Sequence, residues 1–105
     1  MRFFVVLSTT PDLRSARKIA RLLIQKKLAA CVSFRGGWSS VFRWKKKLTT
    51  ASEALLLAKT SSKKLKALQK EILRVHPYEV PEILVLPVSS GSASYLGWIQ
   101  KSMVS

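Results

Sequence analysis

Residues 28–59 read LAACVSFRGGWSSVFRWKKKLTTASEALLLAK and set the architecture of the chain. The segments 28–34 and 38–44 have the pattern of extended strands, and the glycine pair between them permits a bend or a bulge. The lysine run at 45–47 predicts a charged turn, after which 52–59 returns as another apolar strand. This part of the sequence therefore predicts one long, bent β-hairpin.

Two further apolar runs predict strands, one before the hairpin in the sequence, at 2–8, and one after it, at 82–88. The first of these strands is expected to be buried on both faces. Helical patterns separate the strands and follow the last one; they cover 10–27, 62–75 and 95–103. The order βαββαβ is that of the ferredoxin-like α+β fold, an antiparallel sheet with two helices on one face. We expect one domain over residues 1–105, with a short C-terminal helix added to this fold.

The first helix is predicted to start with Thr10 as N-cap, Pro11 at the first helical position and Asp12 near the positive end of the dipole. Each long helix has an apolar stripe at helical spacing and a basic face opposite to it. The basic side chains are Arg14, Arg17, Lys18 and Arg21 on the first helix, and Lys63, Lys66, Lys70 and Arg74 on the second. These faces are predicted to be solvated.

The charge is unusual, because 19 Lys and Arg residues against five acids give a net charge of +14 in 105 residues. Such a charge predicts attraction to polyanions at low salt. The sequence contains no recognised nucleic-acid motif, so we expect no specific nucleic-acid partner. No run approaches the ~18 apolar residues that a membrane span needs. The single cysteine excludes an internal disulfide and suits a reducing cytoplasm.

Four segments occur in an order that resembles the CutA family, the divalent-cation tolerance proteins. They are VVLSTTPD at 5–12, KLAACV at 27–32, VFRW at 41–44 and HPYEVPEI at 76–83. Lys59-Thr60 and YLGW at 95–98 match as well, so that the resemblance covers essentially the whole chain.

The resemblance implies a cytoplasmic homotrimer of ferredoxin-like subunits that takes part in tolerance of divalent cations such as copper and is not an enzyme. It also implies that the long second and third strands pair between neighbouring subunits, much as in the PII signalling proteins. The residues give a separate reason to expect this assembly. Phe42 and Trp44 are poor choices for a solvent-facing hairpin, and an unprotected strand edge invites pairing.

The resemblance further implies where copper would bind. In family members for which copper binding is proposed, the ligands are a cysteine at the end of the first strand and two consecutive histidines before Pro-Tyr. The matching positions here are Ser8, Val75 and His76, so that only one of the three ligands is present. We expect weak copper binding or none, with His76 as the remaining metal ligand, aided by Glu79 or Glu82 of the partner subunit.

Several side chains are candidates for a cleft between subunits; they are Ser8, Trp44, Lys59, Tyr78, Glu79, Glu82, Tyr95 and Trp98. Structural interpretations are also open for His76, Cys31 and the two glutamates. His76 is expected to cap helix carbonyls, Cys31 to be a buried packing residue, and the two glutamates to pair with lysine or arginine. An alternative function is that of a PII-like sensor, in which Lys59 and His76 favour an anionic ligand.

The basic turn leaves one more alternative open. Relatives have Trp-Glu-Gly-Lys-like sequence where this chain has Trp44-Lys45-Lys46-Lys47, and they mix acids with bases on the helices. The excess of lysine and arginine is therefore consistent with a chain engineered toward positive charge, as a trimeric scaffold or polyanion binder, as well as with a natural basic member of the family.

Overall fold

A computed structural model describes residues 1–104. Its elements are β1 (Phe3–Thr10), α1 (Leu13–Gln25), β2 (Cys31–Trp44), β3 (Lys47–Ser61), α2 (Ser62–Val75), β4 (Ile83–Pro87) and α3 (Ala93–Ser102). The four strands form one antiparallel sheet in the order β2-β3-β1-β4. This arrangement confirms the predicted α+β, ferredoxin-like fold. None of the helices within residues 1–104 is long and apolar enough to cross a lipid bilayer.

The two faces of the sheet differ, because successive side chains of a strand point to opposite sides. Val6 of β1 and Leu56 of β3 are buried in the core together with Leu23 of α1 and Leu68 of α2. The other face, which we call the open face, carries apolar residues that stay half-buried or exposed; they are Val5, Leu7, Leu55, Leu57, Leu84 and Leu86. The prediction that the first strand is buried on both faces is therefore only half right.

The long hairpin is present and is bent where the glycine pair predicts it. β2 and β3 pair from Cys31 opposite Lys59 to Trp44 opposite Lys47, with a register shift between Arg35 and Trp38. Gly37 lies at this bulge with φ of 72°, a conformation that favours glycine. β3 begins at Lys47, earlier than the predicted residue 52, because cross-strand pairing continues through the polar segment 47–51.

The hairpin closes through a tight turn in which two lysines adopt left-handed backbone angles. Lys45 and Lys46 have φ of 50° and 66°. Two-residue hairpin turns with positive φ at both positions favour Asn-Gly, because a side chain with a normal Cβ is strained there. The sequence at the tip of the hairpin therefore opposes the turn that it makes.

The start of α1 differs from the prediction. Thr10 is still part of β1, where it pairs with Ala54 of β3, so that it cannot act as the N-cap. Asp12 is the N-cap, and its Oδ1 accepts a hydrogen bond of 2.8 Å from the backbone N–H of Ser15. This bond to the ionised carboxylate lowers the pKa of Asp12.

One acid lies inside the otherwise basic helical layer. Glu71 of α2 is buried, and its carboxylate contacts Lys26 and Arg74 at 2.7 Å. Arg74 donates two parallel hydrogen bonds to this carboxylate, and the two cations lower the pKa of Glu71 to about 2. Arg74 is thus not only part of a solvated face, since it holds the Glu71 carboxylate, which Lys26 contacts from the end of α1.

A Glu71→Gln variant isolates the pH dependence of this cluster. The pKa of Glu71 falls from 4.5 to about 2 on folding, so its ionised form stabilises the folded state above 4.5 and loses that effect as the pH falls toward 2. We expect the two proteins to differ most in free energy of unfolding at neutral pH, with a difference that shrinks over this acidic range. Urea titrations at several pH values measure it. A difference that stays constant with pH contradicts the prediction.

Candidate functional site

His76 ends α2 and connects it to the end of β1. Its Nδ1 accepts a hydrogen bond of 3.0 Å from the backbone N–H of Tyr78, and its Nε2 lies 2.7 Å from the carbonyl oxygen of Thr9. Since Nδ1 accepts, Nε2 carries the proton and donates it to Thr9, which defines a neutral tautomer. The imidazole therefore bonds to β1 and to the following loop, rather than to the helix carbonyls that it was expected to cap.

The hydrogen bond that the Tyr78 backbone donates to His76 helps to position Tyr78. The Tyr78 hydroxyl donates a hydrogen bond of 2.8 Å to Oε2 of Glu53, which is only 8% exposed on β3. Burial of the phenol and the neighbouring Glu53 carboxylate raise the pKa of Tyr78 to about 12. Tyr78 therefore remains protonated at neutral pH and acts as a hydrogen-bond donor.

A cavity of about 600 Å³ lies on the open face, between the hairpin and the loop that follows His76. We call it the open-face pocket. The hairpin contributes the aromatic side chains of Phe42 and Trp44, and the loop contributes Tyr78 and Val80. Its walls are therefore mainly apolar and aromatic, which is typical of pockets for small molecules.

The charged groups of the open-face pocket are all carboxylates. Glu53, Glu79 and Glu82 line it, and no lysine or arginine does so. Thr9 also lines it, and its hydroxyl donates a hydrogen bond of 3.5 Å to Oε1 of Glu82. Three of the five acids in a chain of net charge +14 therefore lie around one pocket.

The structure brings together four of the side chains predicted for a cleft, namely Trp44, Tyr78, Glu79 and Glu82. It leaves the other four outside the pocket, three of which make contacts elsewhere. Lys59 donates a hydrogen bond of 2.7 Å to Ser33, and Tyr95 and Trp98 stack on each other in α3, with ring centroids 5.6 Å apart.

Ser8 lies on the helix-facing side of the sheet instead of in the open-face pocket. Its side chain is buried, and its Oγ has no hydrogen-bond partner within residues 1–104. Cys31 was expected to be buried, but it is half-buried, with Sγ 4.0 Å from Oγ of Ser33. The cause is its place on the partly exposed open face, opposite Lys59.

The ion pairs expected for Glu79 and Glu82 are absent from the described part of the chain, where both salt bridges involve Glu71. The reason is spatial, since most lysines and arginines lie on the helices, which cover the other face of the sheet. Within the same residues no three His, Cys, Asp or Glu side chains are grouped so that they could hold a metal ion.

Sequence reasoning missed Glu53 and Thr9 as members of the pocket. One signal was available for Glu53: it alternates with Leu55 and Leu57 along β3, so that a lone acid falls on the apolar open face. Thr9 gave no such signal, because its role depends on the loop that folds over it.

The fold and the pocket together define a class of protein: ferredoxin-like domains with an elongated β2–β3 hairpin and a pocket between that hairpin and the loop after α2. Comparison with known proteins assigns the chain to a family. The sequence model described as CutA1 divalent ion tolerance protein matches residues 4–102. The chain belongs to this CutA1 family.

Individual relatives match over nearly the whole chain. The divalent-cation tolerance protein CutA of Thermus thermophilus is 40% identical over 98 residues, which is 93% of this chain and 95% of that protein. The chloroplastic CutA of Arabidopsis thaliana is 40% identical over 93% of this chain and 54% of its own length. The crystal structure of CutA from Xylella fastidiosa superposes with a TM-score of 0.94 at 39% identity, covering 97% of this chain and 98% of that chain.

A Tyr78→Phe variant tests the bond between the loop and β3. The substitution removes the hydroxyl that donates to Glu53 and leaves a buried carboxylate without this donor, so we expect a loss of about 1–3 kcal/mol in the free energy of unfolding. The control is Tyr95→Phe, at an exposed position of α3, which should change it by less than about 0.5 kcal/mol. Urea titrations at equal protein concentration compare the two. Equal losses contradict the prediction.

Proposed function

We propose that this chain contributes to divalent-cation tolerance as a cytoplasmic homotrimer, and that it is not an enzyme. The observation that carries the proposal is the apolar surface of the open face and of the hairpin next to it. Leu84 and Leu86 are 51% and 47% exposed, and Phe42 and Trp44 are 40% and 54% exposed. Exposed apolar surface at both edges of one sheet face is typical of a protein interface.

A second copy of the chain is the partner that best fits this surface. β2 and β4 are the edge strands of the sheet, so that each has backbone groups free to pair with another strand. Pairing between copies would satisfy these backbone groups. It would also bury apolar surface, which stabilises an interface by about 25 cal/mol for each Å² removed from water. The resemblance to the PII arrangement supports three copies rather than two.

The residues at the implied copper site do not fit copper. Ser8 offers a buried hydroxyl, and Val75 is an apolar residue packed against the core. His76 has hydrogen bonds at both ring nitrogens, so a metal would have to displace one of them. Copper prefers thiolate and imidazole ligands, and two of the three are missing. Support of cation tolerance by this chain therefore does not depend on tight copper binding at this position.

Two observations support the cytoplasmic and non-catalytic parts of the proposal. The single cysteine fits a reducing compartment. The pocket combines carboxylates with a tyrosine whose pKa of about 12 keeps its proton in place at neutral pH. A general acid or base works best with a pKa near the working pH, which this phenol does not have.

A second candidate function is that of a PII-like sensor that binds a small molecule in the open-face pocket. The volume of about 600 Å³ favours it, because ligand pockets have volumes of roughly 300–1,000 Å³. The anionic ligand expected from Lys59 and His76 is disfavoured here. The charged side chains of the pocket are carboxylates, and Lys59 lies elsewhere. A neutral or cationic ligand fits the pocket better.

The trimer is tested by replacing both Phe42 and Trp44 with lysine. We expect the wild type to have three times the chain mass of 11.8 kDa and the variant to be monomeric, because association would bury unpaired charges. The matched control replaces Leu48 and Thr50 with lysine. These two positions alternate along β3 with the pocket-lining Thr49 and Ala51, so their side chains lie on the other face of the hairpin, and the control should remain trimeric. Size-exclusion chromatography with light scattering measures the masses. A monomeric wild type would falsify the assembly.

The copper site is tested by combining Ser8→Cys with Val75→His. We expect the wild type to bind Cu(I) and Cu(II) weakly or not at all, and the double variant to bind at least about 100-fold more tightly, because it restores a thiolate and a second imidazole. Isothermal titration calorimetry in a non-coordinating buffer measures both. The control is Val75→His alone, which should give a smaller gain. Tight binding by the wild type would show that copper uses other residues.

A further inference from the structure

We propose that the layer formed by α1 and α2 is a docking surface for the phosphate backbone of double-stranded nucleic acid, recognised without regard to base sequence. The fold separates the charges of the chain. Eleven of its 19 basic side chains lie on α1, on α2 or directly after α1. Only two acids, Asp12 and Glu71, accompany them, and the other three line the open-face pocket.

The basic side chains form rows instead of a scattered distribution. Lys63, Lys66, Lys70 and Arg74 follow a spacing of three, four and four residues, which places them on one stripe of α2. At 1.5 Å per residue this row is about 16 Å long, so that it can reach across a major groove of about 12 Å and contact phosphates on both sides. Arg14, Arg17, Lys18 and Arg21 form a similar stripe on α1.

A groove connects the two helices. It has a volume of about 560 Å³, and the charged residues that line it are Lys26 after α1 and Lys70, Glu71 and Arg74 of α2. Glu71 lies beside these cations and holds Lys26 and Arg74 by ion pairs of 2.7 Å. Two of the three cations are therefore held in place before an anion arrives, and fewer side chains lose freedom when a phosphate binds.

The composition of the helices favours a duplex over two other polyanionic partners. α1 and α2 contain no aromatic residue, whereas single-stranded nucleic acids are bound by stacking bases on aromatic side chains. A helix that binds a membrane surface inserts Trp, Phe or Leu below the headgroups, but most of the apolar residues of α1 and α2 pack against the sheet. Phosphate contacts without base readout remain, and these suit the backbone of a duplex.

The helical surface does not depend on the trimer, because each subunit carries all of it. Nor does the surface depend on copper. A monomeric wild type would overturn the proposed assembly and leave the surface intact, so that the two proposals fail separately.

The test compares two triple variants that lose the same number of positive charges. One replaces Lys63, Lys66 and Lys70 with glutamine in the helical layer. The other replaces Lys45, Lys46 and Lys47 with glutamine at the hairpin tip. All six lysines are exposed, and none takes part in an ion pair within the described residues. Circular dichroism and light scattering check that both variants keep the wild-type fold and mass.

Binding is measured by fluorescence anisotropy with labelled 20-base-pair DNA and RNA duplexes of two sequences each, from low salt to 0.15 M. For the wild type we expect equal affinity for both sequences and a steep loss with salt, since phosphate contacts release counterions. At low salt the helical triple should bind at least about 10-fold more weakly than the wild type. The magnitude of its slope of log K against log salt should be smaller by about 2–3, because each of the three lost phosphate contacts contributes about 0.9. The tip triple should stay within about 3-fold of the wild type.

Four results would overturn the proposal. The first is equal loss in both triples, which would mean that binding follows net charge alone. The second is no duplex binding by the wild type at low salt. The third is selectivity between sequences at 0.15 M salt. The last is tighter binding to phosphatidylserine vesicles than to duplexes, which would assign the surface to membranes. If the helical triple fails to fold, a triple variant of α1 is used in its place, with the same expected results. It combines Arg17→Gln, Lys18→Gln and Arg21→Gln.

Discussion

A four-stranded sheet has two faces, and two helices can cover only one of them. The other features of this molecule depend on that constraint. Val6 and Leu56 are buried under α1 and α2, whereas Leu84 and Leu86 on the opposite side are about half exposed. The bent hairpin extends the uncovered side, and the loop after His76 folds against it to form a pocket. The chain therefore has a complete core on one side and an incomplete one on the other.

The same division separates the charges. Helices need a polar outer face, and in this chain its charged residues are almost all lysine and arginine, while Glu53, Glu79 and Glu82 lie around the pocket. Because the sheet lies between the two groups, most of the acids cannot neutralise the bases. Glu71 and Asp12 are the exceptions, and the low pKa of Glu71 reflects how strongly the surrounding cations favour a negative charge there. A net charge describes this molecule poorly, since most bases lie on the helical layer and most acids lie around the pocket.

Much of the fold could be predicted from local sequence patterns. The bounds of α2 and the bend at Gly36-Gly37 agree with the prediction, because periodicity and the His76-Pro77 stop are local signals. Predictions failed where a partner distant in sequence decides the outcome. Pairing with Ala54 holds Thr10 in β1, and pairing across the hairpin extends β3 back to Lys47. In the site, the bond between Tyr78 and Glu53 spans 25 positions, and no local pattern marks it.

The left-handed lysines at the tip of the hairpin have a consequence for folding order. A hairpin that starts at a favourable turn forms outward from it, but Lys45 and Lys46 make this turn costly. We therefore expect the pairing to begin where apolar side chains meet, as between Phe34 and Leu56, and to close toward the tip. In kinetic terms we expect the nucleus at the base of the hairpin and the tip to form last. The part of the chain that reaches farthest from the core is also the part that native contacts must hold against its local preference.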